Sequence, residues 1–291
     1  MRATQGSGTT PGGRLRQLLD EGELVIAPGI FDGLTAHLVR LMGFRAGYLT
    51  GAGVAASGFG LPDIGLVGMA EMADRVAMAT RVLGPVPLIA DADTGYGPPM
   101  SVARTVRAYE RAGVAAIQLE DQAFPKRCGH LPGKELVSTE ESLARLGAAV
   151  EARTDALIIA RTDARAVLGL DAAIERGNAY AAAGADIIFV EAPRTVEEMA
   201  LIAREITAPK LINIVAGGLT PQVEPAALRD LGYAVAIYPT TALLAATSAA
   251  IGALRGIGGS DAAPAPATME DFFRLVGLDE WFAISERWDA K

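Results

Sequence analysis

Arg111-Ala112-Gly113-Val114-Ala115-Ala116-Ile117-Gln118-Leu119-Glu120 decides how this chain is read, and Ala182-Ala183-Gly184-Ala185-Asp186-Ile187-Ile188-Phe189-Val190-Glu191 repeats it. Each stretch runs from a helix end through a glycine into an apolar segment that stops at an acid. Glycine is the natural left-handed residue just past a helix C-terminus. A short apolar run without alternation suits a strand buried on both faces of a parallel sheet. The pair is therefore a weak internal repeat of a helix-to-strand unit.

Working outward, similar runs occur at Leu24 to Ala27, Ala46 to Thr50, Val86 to Ala90, Ala115 to Leu119, Ala156 to Ala160, Ile187 to Val190, Lys210 to Ile214 and Ala234 to Tyr238. The spacers leave room for a crossover helix each. Gly43, Gly113, Gly184 and Gly232 stand a few residues before strands, and Ser138 with Glu141 and Thr195 with Glu198 form capping-box patterns at helix starts. Eight such units in succession predict an α/β fold, a closed (β/α)₈ barrel over residues 14–257. An open doubly wound sheet would show a glycine-rich phosphate loop after its first strand. Pro28-Gly29-Ile30-Phe31-Asp32-Gly33 reads instead as a turn.

Residues 1–13, polar and rich in Gly and Thr, read as a disordered tail without the apolar segment of a signal peptide. Residues 258–267 read as a Gly/Ala/Pro linker, and 268–291 as a helical segment holding Phe272, Phe273, Trp281, Phe282 and Trp288. So much aromatic area at the end of an aromatic-poor chain implies docking, either on its own barrel or, the reading preferred here, on a neighbouring subunit. The net charge of −8 argues against nucleic acid, and no apolar run is long enough for a membrane helix. A single cysteine, Cys128, excludes an internal disulfide and fits a cytoplasmic protein.

In a barrel the chemistry gathers at the carboxyl ends of the strands. Here those ends carry Tyr48-Leu49-Thr50-Gly51, Asp91-Ala92-Asp93, Glu120-Asp121-Gln122, Arg161-Thr162-Asp163, Glu191 and Asn213. Asp91 and Asp93, two apart, share one side of an extended segment. Paired carboxylates without His or Cys favour Mg²⁺ or Mn²⁺, and Glu120 on the next strand can join them. Arg161, closing an apolar strand, is suited to grip a substrate carboxylate, although pairing with the neighbouring acids is the plainer alternative. Cys128 lies in Lys126-Arg127-Cys128-Gly129-His130, among cations expected to favour a thiolate, in a Gly- and Pro-flanked loop that can act as a lid.

With Tyr48-Leu49-Thr50-Gly51-Ala52-Gly53, Leu61-Pro62-Asp63, Asp91-Ala92-Asp93-Thr94-Gly95-Tyr96-Gly97, Glu120-Asp121-Gln122 and Lys126-Arg127-Cys128-Gly129-His130 in view, the sequence resembles the isocitrate lyase and phosphoenolpyruvate mutase superfamily. The likeness spans about residues 15–255, and the cysteine motif resembles that of its lyase branch. That resemblance implies a homotetramer in which the eighth helix is exchanged between subunits. It implies Mg²⁺ held largely through waters, with Asp91 and Asp93 as metal ligands and Asp63 and Glu120 behind them. Cys128 would be the general acid/base. Thr50, Gly51 and Ala52 would bind the 2-oxo-acid part of a small carboxylate substrate. Arg161 and Asn213 would hold carboxylates, while Gly129, His130 and Glu191 would line the site. Tyr48 or a metal-bound water would take the hydroxyl proton.

Two departures bear on the substrate. Tricarboxylate lyases of the family carry a Glu a few residues after the strand-7 Asn and a Phe-Arg pair after the strand-8 Tyr-Pro; here Ala216 and Leu243-Leu244 stand there. The expectation is a carbon–carbon lyase acting on a 2-alkylmalate or dimethylmalate. The alternatives are a carboxyvinyl-carboxyphosphonate phosphorylmutase, a methylisocitrate lyase, an oxaloacetate hydrolase, or a binding protein without activity.

Overall fold

A computed structural model of the chain describes residues 10–260 and 264–288. Its elements follow in chain order as α1 (Pro11–Asp20), β1 (Val25–Ile30), α2 (Gly33–Leu41), β2 (Gly47–Leu49), α3 (Gly51–Phe59), α4 (Met69–Leu83), β3 (Leu88–Asp91), α5 (Pro99–Arg111), β4 (Ala116–Glu120) and α6 (Thr139–Ala152). Then come β5 (Leu157–Thr162), α7 (Ala164–Val167), α8 (Leu170–Ala182), β6 (Ile187–Val190), α9 (Val196–Glu205), β7 (Lys210–Asn213), α10 (Pro225–Asp230), β8 (Val235–Tyr238), α11 (Thr241–Gly256), α12 (Met269–Leu275) and α13 (Leu278–Trp288). All eight strands pair in parallel, each with its sequence neighbour, and β8 closes on β1.

The expected strands are all present. Gly43, Gly113, Gly184 and Gly232 adopt left-handed φ, as helix ends feeding strands require. Ser138 and Thr195 cap α6 and α9 by accepting from the Glu141 and Glu198 N–H groups. One local expectation fails: Pro28 to Ile30 is not a turn but the second half of β1. The reason lies in barrel closure. A Cβ on Gly29 would sit 2.0 Å from the Pro239 carbonyl oxygen, so only glycine lets the first strand end pass the last. The segment expected as a tail also ends early. Thr10 caps α1, and the Gly12 N–H donates to Asp155 Oδ2 at 2.7 Å. This ties α1 beneath the barrel, where Leu15 joins its interior core; the remainder of the expected tail, residues 1–9, lies outside the described residues.

Strand alternation sorts the barrel into two layers. Tyr48, Ile89, Ile159, Phe189, Leu211 and Ile237 fill the interior, while Ala90, Ile117, Ile158 and Ile188 face the helices. Carrying the inward parity to the strand ends points Asp91, Glu120, Arg161, Glu191 and Asn213 toward the barrel mouth, and all five are buried. The eighth helix, α11, is mostly exposed; Leu243 is its only buried residue. α12 and α13 fold over the mouth of the same chain's barrel, with Met269, Phe272, Phe273 and Leu278 buried against Phe31, Ala52, Cys128, Leu131 and Val215.

Candidate active site

A small cavity opens at the carboxyl ends of the strands, lined by Tyr48, Thr50, Ala52, Asp63, Asp91, Cys128, Gly129, His130, Arg161, Glu191 and Asn213. Every one of these was singled out in the sequence. Gly51, Asp93 and Glu120 were also expected there but stand just behind its lining. The Gly51 N–H, at the start of α3, donates to Asp91 Oδ2 at 3.2 Å. Its close approach is enforced, since a Cβ at Gly51 would lie 2.9 Å from that oxygen.

Asp91 is held on every side. Its Oδ1 accepts from the Asp93 N–H at 3.2 Å and from Gln118 Nε2 at 3.3 Å, while Gln118 Oε1 accepts the Tyr48 hydroxyl at 3.1 Å. Burial, with Asp91 adding to it, raises the Tyr48 pKa well above its ordinary value. Tyr48 is therefore a neutral donor, which weighs against its expected service as the base for the hydroxyl proton. Asp93 sits at φ 47°, a strained conformation for a residue with a side chain. Burial raises its pKa to about 7; Lys126 opposes the shift, and Asp91 and Asp63 reinforce it.

Lys126 was read in the sequence only as a cation near the thiol. The structure turns it inward, nearly fully buried, onto Asp63 and onto Asp93 at 2.8 Å. That pairing overturns the thiolate expectation. Burial pushes the Cys128 thiol up to about 12, with Asp63 contributing, and the cations only partly offset this. Desolvation of a negative sulfur outweighs the attraction of ammonium and guanidinium groups already spent on acids.

Arg161 is likewise engaged. Its guanidinium meets Glu120 at 3.1 Å, Asp163 at 3.0 Å and Glu191 at 3.5 Å, and it lies over the Phe189 ring. Asp163 in turn takes Lys134 at 2.8 Å, and although burial pushes its pKa up, Arg161 and Lys134 outweigh burial and leave it lowered. In this state the plainer alternative for Arg161 holds, and a carboxylate grip requires it to let go of Glu191, its longest contact. Asn213 donates through Nδ2 to Glu191 Oε2 at 3.2 Å, leaving its buried Oδ1 without a partner among the described residues.

The cysteine loop is folded down. Lys126 reaches Asp93 after β3, Lys134 reaches Asp163 after β5, and the His130 ring accepts the Leu219 N–H beyond β7 at 3.2 Å. Burial lowers the His130 pKa, so its ring is neutral near pH 7. Gly129 sits where a Cβ would fall 2.6 Å from Arg161 Nη2 and 2.7 Å from Glu191 Oε2. Gln118, Lys134 and Met269 were missed in the sequence, and Asp163, quoted at the end of β5, was given no role there. Gln118 had a visible signal, a lone polar residue within an apolar strand.

The acids fit a hard cation by donor chemistry. Asp91, Asp93, Asp63 and Glu120 offer only oxygens, and Glu120 Oε1 is buried without a hydrogen-bond partner among the described residues. Among the described residues no three His, Cys, Asp or Glu side chains converge as a shell. Such a set suits an ion that keeps several waters, as Mg²⁺ does.

Perturbed, buried ionisable groups concentrated at the carboxyl ends of parallel strands mark the chain as a (β/α)₈-barrel enzyme. Residues 15–257 match the family model described as phosphoenolpyruvate phosphomutase. The chain is 46% identical over 273 residues to a 2,3-dimethylmalate lyase of Eubacterium barkeri, covering 92% of this chain and 94% of that one. It is 44% identical over 275 residues to a 2-methylisocitrate lyase of Aeropyrum pernix, covering 93% and 89%. A solved oxaloacetate acetylhydrolase, in complex with 3,3-difluorooxalacetate, superposes with a TM-score of 0.83 at 38% identity, covering 98% of this chain and 99% of the other. The chain belongs to the phosphoenolpyruvate mutase/isocitrate lyase superfamily.

Proposed function

We propose that the chain is a Mg²⁺-dependent carbon–carbon lyase that cleaves a 2-hydroxy dicarboxylate of the 2-alkylmalate or 2,3-dimethylmalate type to a 2-oxo acid and a carboxylic acid. The observation that carries this reading is the Cys128 thiol, which keeps its proton and shares the cavity with Asp91. The similarity to the Eubacterium barkeri lyase supports the substrate class. So does an apolar wall of Val215, Ile237, Pro239 and Met269 in place of further charges.

Asp91 and Asp93, with Asp63 and Glu120 behind them, are the residues to hold Mg²⁺ or Mn²⁺. A bound ion supplies a Lewis acid that lowers the pKa of a chelated hydroxyl and stabilises the emerging 2-oxo acid. At the start of α3 the Gly51 N–H is committed to Asp91 and the Gly53 N–H to Thr50 Oγ1, so Ala52 is the residue to meet a substrate oxygen. Arg161 and Asn213, both leaning on Glu191, hold the second carboxylate, with Gly129 and His130 covering it. As the hydroxyl proton passes to a water in the cavity, Tyr48 being a neutral donor, the C2–C3 bond breaks, C2 becomes a carbonyl and the electron pair stays on C3. Cys128 delivers its proton to C3, and solvent returns one to the sulfur. A neutral thiol is the form this step needs, and burial keeps Cys128 in that form.

Cys128→Ser tests the reading. Turnover should fall at least about 10²-fold, the low end of general acid–base effects. The wild type should place solvent deuterium on the product carbon that was C3. Near-normal turnover by the variant, or product free of deuterium, would remove Cys128 as the proton donor, and a wild type that cleaves no 2-alkylmalate would transfer the assignment to the phosphomutase chemistry that the family model names. The sequence departures do not form the pocket directly: Leu243 and Leu244 pack behind its wall, and Ala216 is exposed.

We further propose a cytoplasmic homotetramer with exchanged eighth helices. Ile257 and Leu254 are exposed at the end of α11, and an apolar groove of about 1130 Å³ bounded by Phe44, Ile214, Val223 and the first turn of α11 lies beside it. In this proposal a second copy's α11 would cover that groove. Light scattering should give four chains per particle; a stable monomer would refute the exchange.

A further inference from the structure

We infer that Met269 is a specificity-determining residue of this active site, and that α12 serves as the wall against which the alkyl substituent of the substrate packs. This rests on the lyase reading above. The inference starts from where the segment lies. Met269 is outside the residues 15–257 that match the family, yet it lines the same cavity as Cys128, Ala52 and Asp91. It is 3% exposed, at the first position of α12, where Thr268 forms a capping box with Asp271 that fixes the helix start.

Three contacts aim that helix start into the site. Phe272 and Phe273, with ring centroids 5.5 Å apart, anchor the segment in the apolar cluster that holds Phe31, Leu131, Val215 and Cys128. The approach to the β7 loop is tight enough that a Cβ on Gly217 would lie 2.6 Å from the Ala267 carbonyl oxygen. On the far side, the Arg127 guanidinium of the cysteine loop lies 4.9 Å from the Phe282 ring centroid on α13. The segment is thus locked to the two loops that cover the cavity, and Met269 is the side chain it contributes there.

The chemistry divides the cavity in two. Asp63, Asp91, Arg161, Glu191 and Asn213 make a polar side suited to carboxylates and a cation. Met269 and Val215, which share one apolar cluster, join Ile237 and Pro239 as apolar lining that offers nothing to a third carboxylate but suits a methyl group. Methionine, flexible and polarizable, fills irregular apolar space. One methyl in such a pocket is worth about 10- to 200-fold in specificity.

The test compares kcat/KM for 2-methylmalate and 2,3-dimethylmalate, which differ by one methyl on C3. Met269→Ala should lower the preference for the dimethyl substrate about tenfold, the lower end of that range. Met269→Phe should exclude the dimethyl compound while sparing the smaller one. Phe282→Leu, which does not line the cavity, should change both substrates together and leave the ratio intact. If the wild type cleaves neither, the lyase reading falls, and the wall is judged by calorimetric affinities of the same two diacids with Mg²⁺ for Cys128→Ser with and without Met269→Ala. Equal effects on both diacids in turnover or affinity, or no binding of either, would overturn the assignment.

Discussion

Lys126 is the most exposed point of this reasoning to experiment, because one side chain balances a group of buried acids. It is 3% exposed and pairs with Asp63 and, at 2.8 Å, with Asp93; burial lowers its pKa, but these acids outweigh burial and leave it raised. Lys126→Met keeps most of the apolar stem and removes only the charge. The acids would then be buried without compensation, a loss of about 3–5 kcal/mol for breaking such a pair. A chain of 291 residues has an unfolding entropy of about 0.6 kcal/mol per degree at roughly 2.1 cal/mol/K per residue. The melting temperature of the metal-free protein should therefore fall by about 5–8 °C. Mg²⁺ should recover much of that deficit in the variant and raise the wild type less, because the ion then supplies the positive charge the ammonium supplied before. Scanning calorimetry with and without Mg²⁺ reads both effects. A variant melting within about 2 °C of wild type, or a deficit that Mg²⁺ leaves untouched, would refute the idea that Lys126 and the cation answer the same acids.

Two other expectations follow from single residues. Gly129→Ala forces a Cβ into Arg161 and Glu191, at 2.6 and 2.7 Å, so the loop must lift; activity should fall on the order of 100-fold, as misplacement of about 1 Å does, and melting should fall with it because the buried pairs of Lys126 and Lys134 are strained, so wild-type turnover and melting together would refute the close fit. Asp93 has a folded pKa of about 7, above its ordinary 3.8, so it binds more protons in the folded than in the unfolded state between those values. Stability of the metal-free protein should thus decline as pH rises from about 4 to 7, and Asp93→Asn should flatten that slope; an unchanged slope in urea unfolding series would sink the assignment.

The barrel was legible because its signals are local. Buried parallel strands are continuous apolar runs, and the glycines ahead of them mark helix ends regardless of what packs nearby. Strand ends shifted by up to three residues where closure intervened, as at Pro28 to Ile30, whose neighbour Pro239 lies across the barrel seam. The site residues were legible where a strand-end position carries the argument, as for Asp91, Glu120, Arg161, Glu191 and Asn213. What could not be read was which charge answers which. Lys126 stands two residues from Cys128 in sequence, but its ammonium serves Asp63 and Asp93 and leaves the thiol to burial. Lys134 and Asp163 are 29 residues apart and meet only because the loop folds onto β5. Met269 lay in a segment recognised for its aromatic area, but nothing local tells which residue of such a segment enters a cavity.

The same pairings explain why a loop of mostly polar residues can carry a buried thiol. Each contact that seats it is made to a different strand end: Lys126 to Asp93 after β3, Lys134 to Asp163 after β5, and His130 to Leu219 beyond β7. Breaking any one would leave a charge or polar group in a low-dielectric site, which is costly, so the three contacts resist being undone singly. Gly129 passes between them at a distance no other residue allows, which puts Cys128 over the cavity rather than beside it. Asp63 completes the link: its carboxylate takes Lys126 and its carbonyl accepts the Cys128 N–H at 3.1 Å. Position of the thiol and neutralisation of the acids are therefore one structural event, and a change of charge at Asp63, Asp93 or Lys126 must be felt at the sulfur.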